Sequence, residues 1–204
     1  HRSYFDPMVM TTLIARAGRN ARYLGKKEVF DDPVVGAVAR AAGGIRVDRA
    51  SGSSEPLETA AAALRAGDVV MSMPQGTIPR GPAFFDPELK GRWGAAKLAA
   101  LSGAPVIPVG LWGTEQVWPR NARVPRLVLD DQPLVTATVG DPVELGHEDL
   151  DADTTAIMTA ISALLPPESR ERREPTAEEL AATYPPGYRG DPTQETDRRP
   201  GTDT

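Results

Sequence analysis

The segment Asp68–Met73 (DVVMSM) is a short apolar run between a helix-like region and Pro74. A run of this length without polar alternation is typical of a strand that is buried on both faces. Such a strand needs helices on each side of its sheet, so the segment favours a layered α/β architecture. We therefore predict that Asp68–Met73 is a central strand.

Helix and strand patterns alternate on both sides of this segment. Asp6-Pro7 and Asp32-Pro33 are helix-start signals, because aspartate can cap free backbone amides and proline suits the first helical position. Pro108 makes the strand around it an edge strand or a bulged one. The alternation predicts an α/β domain with a sheet of mostly parallel strands flanked by helices. The predicted helices span 6–16, 32–42, 55–66, 92–102 and 154–165, and the predicted strands 20–25, 45–49, 68–73, 105–112, 127–129 and 134–139.

The composition divides the chain into two parts. Residues 1–165 carry the α/β pattern, and we expect them to form one domain whose N-terminus is truncated, because the chain opens on His1 within a motif. Residues 166–204 are rich in proline and acidic residues and poor in aliphatic ones, which predicts a largely disordered acidic tail. A short helix near Ala177–Ala182 is expected to dock onto the domain.

Charge and rare residues exclude several function classes. The formal net charge of −5 argues against nucleic-acid binding, whereas a net +4 in residues 1–50 suits an anionic ligand or surface. The chain has no cysteine and two histidines, so we expect no thiol nucleophile, no metal site and no cofactor. Prolines and glycines interrupt the longest uncharged stretch, residues 98–114, so we predict no membrane span.

The first six residues, HRSYFD, contain a candidate catalytic pair. A carboxylate at Asp6 could hold one imidazole nitrogen of His1 and leave the other to take a proton from a hydroxyl. The pair can meet only if His1 folds back over the helix start. In the alternative interpretation, Asp6 is only a helix N-cap. His147, among acidic residues, is predicted to be a solvated loop residue.

Four sequence blocks carry a family resemblance: HRSYFD, GKKEVFDDPVVGAVARAAGGIRVDR, MPQGTIPRG and APVIPVGLWG. In order and approximate spacing they resemble the motifs of the glycerolipid acyltransferases, the 1-acyl-sn-glycerol-3-phosphate acyltransferase type. The resemblance covers about residues 1–145. It looks closest to actinobacterial members that follow an N-terminal haloacid-dehalogenase-like phosphatase domain, which is therefore an expected upstream partner.

The resemblance implies an enzyme that moves a fatty acyl group from acyl-CoA or acyl-carrier protein to a lysophosphatidic-acid-type acceptor, giving phosphatidic acid. His1 would be the base and Asp6 its orienting partner. No G-x-S-x-G nucleophile is present, which fits direct activation of the acceptor hydroxyl. Basic residues of the second block, Lys27 and Arg49, would hold the acceptor phosphate, and arginine suits this task because its planar fork can make two parallel hydrogen bonds.

The third block departs from the family pattern F-P-E-G-T-R. Gln75 replaces the acid, Gly76 and Thr77 are kept, and Ile78 replaces the arginine. Gln75 could still bind a glycerol hydroxyl, and Arg80 could take over the role of the missing arginine. The predicted substrate-binding residues are thus Lys27, Arg49, Gln75, Gly76, Thr77 and Arg80.

The fourth block, Val106–Val109, is predicted to line an acyl groove. The nearby aromatic residues Phe84, Phe85, Trp112 and Trp118 are expected either in the core or in a lipid-facing patch. Lipid substrates imply a peripheral protein at the cytoplasmic face of the membrane.

Two other functions stay open from the sequence. One is a lipid transacylase or acyl-thioester hydrolase with the same His-Asp pair. The other is a non-catalytic lipid-binding module, although such a module has no need of His1 and Asp6.

Overall fold

The computed structural model describes residues 1–48, 54–126 and 132–190. Within these ranges, helices and strands alternate as the sequence predicts. The longest described helix has 14 residues, and no described helix is long and apolar enough to cross a membrane. The elements are α1 (Asp6–Arg16), β1 (Ala21–Lys26), α2 (Lys27–Asp31), α3 (Pro33–Ala41), β2 (Gly44–Val47), α4 (Glu55–Arg65), β3 (Val69–Met71), a 3₁₀ turn (Gly81–Phe84), α5 (Gly94–Ser102), β4 (Val109–Trp112), α6 (Thr114–Val117), β5 (Thr136–Val139), α7 (Leu150–Ala163), a second 3₁₀ turn (Pro167–Arg170) and α8 (Ala177–Ala182).

Three of the strands form a parallel sheet in the order β2-β1-β3. Helices flank this sheet, so the predicted layered α/β class is confirmed. The prediction that Asp68–Met73 is a central strand is wrong, because β1 is central and β3 lies at one edge of the described sheet. Val69 and Val70 are only half-buried, since the free side of β3 lines a groove instead of pairing with another strand.

The other two strands, β4 and β5, form an antiparallel pair with Val109 opposite Val139. Proline cannot donate to a ladder, and β4 accordingly begins after Pro108, whose carbonyl accepts from the amide of Gly140 at 3.0 Å. The strand predicted at 134–139 is therefore present but pairs with β4. Its predicted partner, 127–129, lies outside the described residues.

The core forms where α4 packs between the sheet and α5. Ala60 and Ala61 of α4 and Leu98 of α5 are buried, and Leu24 and Val70 pack against them from the sheet. Small side chains on α4 allow the neighbouring elements to approach closely. The elements that carry the site, α1 and β3, thus stand on a packed base.

The described part of the proline-rich segment, residues 166–190, contains the second 3₁₀ turn and α8. Thr176 and Glu179 form a capping box that starts α8, at the predicted position. After α8, the side-chain hydroxyl of Thr183 accepts from the amide of Gly81 at 2.8 Å, and Tyr184 is 3% exposed. The buried ring of Tyr184 thus gives this segment apolar contacts that its composition does not predict. Residues 191–204 lie outside the described residues.

Candidate active site

His1 lies in the loop before α1, and its imidazole reaches back to the first residue of that helix. Nδ1 of His1 lies 2.6 Å from Oδ2 of Asp6. The carboxylate is 1% exposed and the imidazole 16% exposed. Because an ionised carboxylate only accepts, Nδ1 carries the hydrogen and Nε2 is left as the basic nitrogen. The fold therefore brings the predicted pair together in the geometry of an oriented base.

Asp6 does not cap α1. Its Oδ2 accepts from the backbone N–H groups of Arg2 at 2.7 Å and Ser3 at 3.1 Å, so the carboxylate turns back toward the loop. Phe5 occupies the N-cap position, and no side chain caps the helix there. The N-cap interpretation of Asp6 is therefore wrong. In contrast, Asp32 caps α3 as predicted, because its side chain accepts from the backbone N–H groups of Val34 and Val35.

The surroundings of Asp6 keep its carboxylate ionised. Burial raises the pKa of Asp6, but the hydrogen bond and charge of His1, together with further donors such as the amide of Arg2, outweigh burial. The pKa of Asp6 therefore lies below its ordinary value. A buried negative charge beside an imidazole stabilises the imidazolium that forms when His1 takes a proton.

Arg2 ties the loop to the region after β4. Its Nε donates to Oε1 of Glu115 at 2.9 Å. Its guanidinium lies 4.1 Å from the ring centre of Phe84 and 4.8 Å from that of Trp112. Sequence reasoning missed Arg2 and Glu115, because 113 positions separate them and neither forms a local pattern. Only the fold shows that they anchor the loop that carries His1.

An apolar groove with a cavity volume of about 1100 Å³ opens beside this pair, and His1 and Asp6 form part of its wall. Pockets for small ligands commonly have volumes of about 300–1,000 Å³, so this groove is slightly larger than that range. Its apolar side chains come from α1, β3, α5, the fourth block and α7, and include Met10, Leu13, Val70, Leu98, Val109 and Ile157. The groove can hold a long hydrocarbon chain next to the base.

The fourth block lines this groove with Val106, Ile107, Pro108 and Val109, as the sequence predicts. Phe84, Phe85 and Trp112 also line it. Trp118 instead packs edge-on against Tyr4, with ring centres 5.8 Å apart.

Gln75 supports His1 in the structure. It is 5% exposed, and its Oε1 accepts from the amino nitrogen of His1, the first residue of the sequence, at 2.5 Å. Gly76 has a φ of +69°, which glycine adopts without strain, and its amide closes a turn onto the carbonyl of Met73 at 2.8 Å. This turn places Gln75 next to the loop that contains His1.

The third block lines the groove in part, with Met73, Pro74, Gln75 and Pro79. Of the described residues in this block, Gly76, Thr77 and Arg80 do not line the groove. Thr77 Oγ1 donates to the carbonyl of Ile78 at 3.5 Å, and Ile78 is 5% exposed, which explains an apolar residue there. The guanidinium of Arg80 lies 5.6 Å from the ring centre of Tyr188.

Two cations of the second block, Lys27 and Arg46, pair with nearby acids. Nζ of Lys27 donates to Oδ2 of Asp48 at 2.9 Å, and this bond raises the pKa of Lys27. Arg46 pairs with Asp31 at 3.2 Å. Neither Lys27 nor Arg46 is among the described residues that line the groove. Arg49 lies outside the described residues, so its predicted contact with phosphate stays a prediction.

His147 lies far along the chain from the other histidine and is exposed over 44% of its side chain. Its Nδ1 is 3.9 Å from Oδ2 of Asp153, and its φ is +65°. The predicted solvated loop position fits this geometry.

The acyltransferase family model matches residues 1–112, which is more than half of the chain. The chain belongs to the acyltransferase family. The matched region contains His1, Asp6, the third block and the wall of the acyltransferase groove up to β4.

One solved structure is similar to this acyltransferase-family chain: the crystal structure of the 1-acyl-sn-glycerophosphate (LPA) acyltransferase PlsC from Thermotoga maritima. The two sequences are 20% identical, with a TM-score of 0.48 over 71% of this chain. The chain spans 56% of the length of that protein. No curated protein gives a significant match.

Proposed function

We propose that the chain transfers a fatty acyl group from an acyl thioester, acyl-CoA or acyl-carrier protein, to a hydroxyl of a lysophosphatidic-acid-type acceptor. The product is phosphatidic acid. The observation that carries this proposal is the His1–Asp6 pair, joined at 2.6 Å, in the wall of a large apolar groove. The acceptor hydroxyl needs a base to take its proton, and the fatty acyl chain needs an apolar space. The groove places the two next to each other.

The reaction follows from the state of the pair. Nε2 of His1 takes the proton of the acceptor hydroxyl while that oxygen attacks the thioester carbonyl carbon. The carbon–sulfur bond then breaks, an ester bond remains, and the thiolate leaves with the proton that His1 returns. Asp6 stabilises the imidazolium between these steps. No acyl-enzyme is required in this sequence.

One arginine of the groove is the candidate contact for an anionic acceptor. The groove lining includes five arginines and eight acidic residues, and three of the arginines pair with acids. The candidate is another of the five, Arg120, whose Nη1 donates to the carbonyl of Ile78 at 2.5 Å. Arg120 therefore contacts the third block from the groove. Arg80, which belongs to the third block itself, is not one of the described residues that line the groove. The five arginines are Arg2, Arg19, Arg120, Arg172 and Arg173.

A membrane surface is the proposed source of the acceptor. α3 exposes an apolar face: Val34, Val35 and Val38 are 73%, 52% and 64% exposed. This face belongs to the basic third of the chain, so apolar contact and attraction to anionic lipid would act together. We accordingly propose a peripheral protein on the cytoplasmic side of the membrane.

Release of free thiol from acyl-CoA tests the proposed activity, with lysophosphatidic acid, with monoacylglycerol, and with no acceptor. Transfer predicts release only with an acceptor, faster with lysophosphatidic acid than with the phosphate-free monoacylglycerol. Equal release in all three mixtures would show a hydrolase instead. Acyl-CoA binding without release would show a lipid-binding module.

A further inference from the structure

The two oxygens of the Asp6 carboxylate have different surroundings. Oδ2 takes the contacts with His1, Arg2 and Ser3, whereas Oδ1 is buried and makes no hydrogen bond of normal geometry with any described residue. A buried carboxylate oxygen without a donor is costly, and the charge of Asp6 increases this cost. The site therefore needs a donor at Oδ1.

Among the described residues, the side chain of Thr114 fits this need. It is the first residue of α6 and is 0% exposed, and its Oγ1 likewise makes no hydrogen bond of normal geometry within the described chain. Its hydroxyl lies close enough to Asp6 to contribute to lowering the pKa of that carboxylate. A buried group that can donate thus lies beside a buried group that only accepts.

Contacts on both sides hold Thr114 in place. The preceding residue, Gly113, has a φ of +84°, and any side chain there would collide with the carbonyl of Leu134. The following residue, Glu115, binds Arg2 of the catalytic loop. A few residues later, the carbonyl of Trp118 accepts from Oγ of Ser3 at 2.7 Å. The loop with Asp6 and the turn with Thr114 are therefore fixed against each other.

We infer that Thr114 is a positioning residue: its Oγ1 donates to Oδ1 of Asp6 and fixes the plane of the carboxylate whose Oδ2 orients His1. Rotation of an unsupported carboxylate would move Oδ2 away from Nδ1 of His1. The hydroxyl prevents this rotation without touching substrate. The inference rests on the proposed function only in its expected effect on rate.

The test compares Thr114→Val, which keeps the shape and loses the donor, with Thr114→Ser, which keeps the donor. Thr154→Val is the matched control, because Thr154 is also buried and its Oγ1 also makes no hydrogen bond of normal geometry within the described chain. For each variant, kcat and KM are measured with acyl-CoA and lysophosphatidic acid. The pKa of Asp6 is followed by carbon-13 NMR of its carboxyl group, which needs no activity.

The valine variant at 114 is expected to lose roughly tenfold or more in kcat with little change in KM, because a hydrogen bond to a charged group is removed. The serine variant should recover most of this loss, and Thr154→Val should keep the wild-type kcat. The NMR titration should show a higher pKa for Asp6 in Thr114→Val than in the wild type or in Thr114→Ser.

An unchanged Asp6 titration in Thr114→Val would overturn the inference, whatever the activity. A loss of kcat in the serine variant as large as in the valine variant would do the same, since it would indicate packing and not donation. If the wild type makes no phosphatidic acid while the Asp6 titration shifts as expected, the proposed function fails and the role of Thr114 toward Asp6 stands.

Discussion

Oδ2 of Asp6 lies 2.6 Å from Nδ1 of His1, although Asp6 is already the first residue of α1. Five positions along a regular helix would put the two side chains on different faces. They meet because His1 lies in the preceding loop and the amides of Arg2 and Ser3 turn the same carboxylate toward that loop. The helix holds the carboxylate of Asp6 in place, and the preceding loop brings the imidazole of His1 to it.

Asp6→Asn is expected to lower kcat by roughly a hundredfold or more, because an amide does not stabilise the imidazolium of His1. Asp32→Asn is the matched control, since both aspartates precede a proline but only Asp32 caps a helix. Asparagine caps about as well as aspartate, so this control should keep both melting temperature and activity. Equal activity losses in the two variants would contradict the assignment of Asp6.

Filling the groove is expected to shorten the acyl chain that the enzyme accepts. Ala95 of α5 lines the groove, and Ala95→Trp should lower kcat/KM for palmitoyl-CoA by roughly tenfold or more, and less for octanoyl-CoA, because the added ring occupies space for the chain end. Ala100→Trp, on the exposed face of the same helix, controls for the substitution itself. The same loss with both donors would show that the chain does not lie along α5.

The docked tail is expected to loosen in acid. Both oxygens of Glu179 bind Arg173, at 2.7 and 2.9 Å, and this pairing lowers the pKa of Glu179 to about 2 from 4.5. A lowered pKa stabilises the folded form above pH 4.5, and the contribution is lost as the pH falls from 4.5 toward 2. Both charges are partly exposed, so the effect should stay local to the tail.

Hydrogen exchange in residues 167–190 measures this effect. Exchange in the wild type should accelerate as the pH falls through that window, after correction for the intrinsic rate. Glu179→Gln should show fast exchange already at neutral pH, whereas Glu178→Gln, at the exposed neighbouring position, should behave as the wild type. Wild-type exchange in the Glu179→Gln variant at neutral pH would show that the ion pair does not hold the tail.

Binding to anionic vesicles is expected at low salt and should be largely lost in about 1 M salt, where charges are screened within about 3 Å. Phe84 is 8% exposed, which fits the core alternative for this residue, and the valine face of α3 is the apolar contact surface in the proposal. A Val34→Glu, Val38→Glu variant should bind anionic vesicles less. Val124→Glu is the control, because Val124 is 68% exposed outside this face. Equal, salt-insensitive binding to neutral vesicles would contradict this surface.

Local signals predicted much of the fold. Asp32-Pro33 marks a true cap, and Pro108 delays the start of β4, because both act through their own backbone. The position of β3 in the sheet was not predictable, since an apolar run shows burial but not which neighbour supplies it. The docking of Tyr184 was missed for the same reason: it depends on a partner surface about a hundred positions away.

The candidate site shows the same division. The pairing of His1 with Asp6 was predicted from six adjacent residues and a family resemblance. The role of Gln75 was not, because its bond to the backbone of His1 joins positions 74 apart. The contact of Arg2 with Glu115 joins positions 113 apart, so neither motif spacing nor composition predicts it. Long-range support of a catalytic loop becomes visible only in the fold.

The most direct measurement is the formation of phosphatidic acid from acyl-CoA and lysophosphatidic acid by wild-type protein and by His1→Ala, with the natural N-terminal sequence intact. Nε2 of His1 is the proposed base, so His1→Ala should lose roughly a hundredfold to ten-thousandfold in kcat. Its melting temperature is measured alongside, because the imidazole is 16% exposed and its loss removes a hydrogen bond from the buried carboxylate of Asp6. A folded His1→Ala variant that keeps a third of the wild-type rate would contradict the central claim.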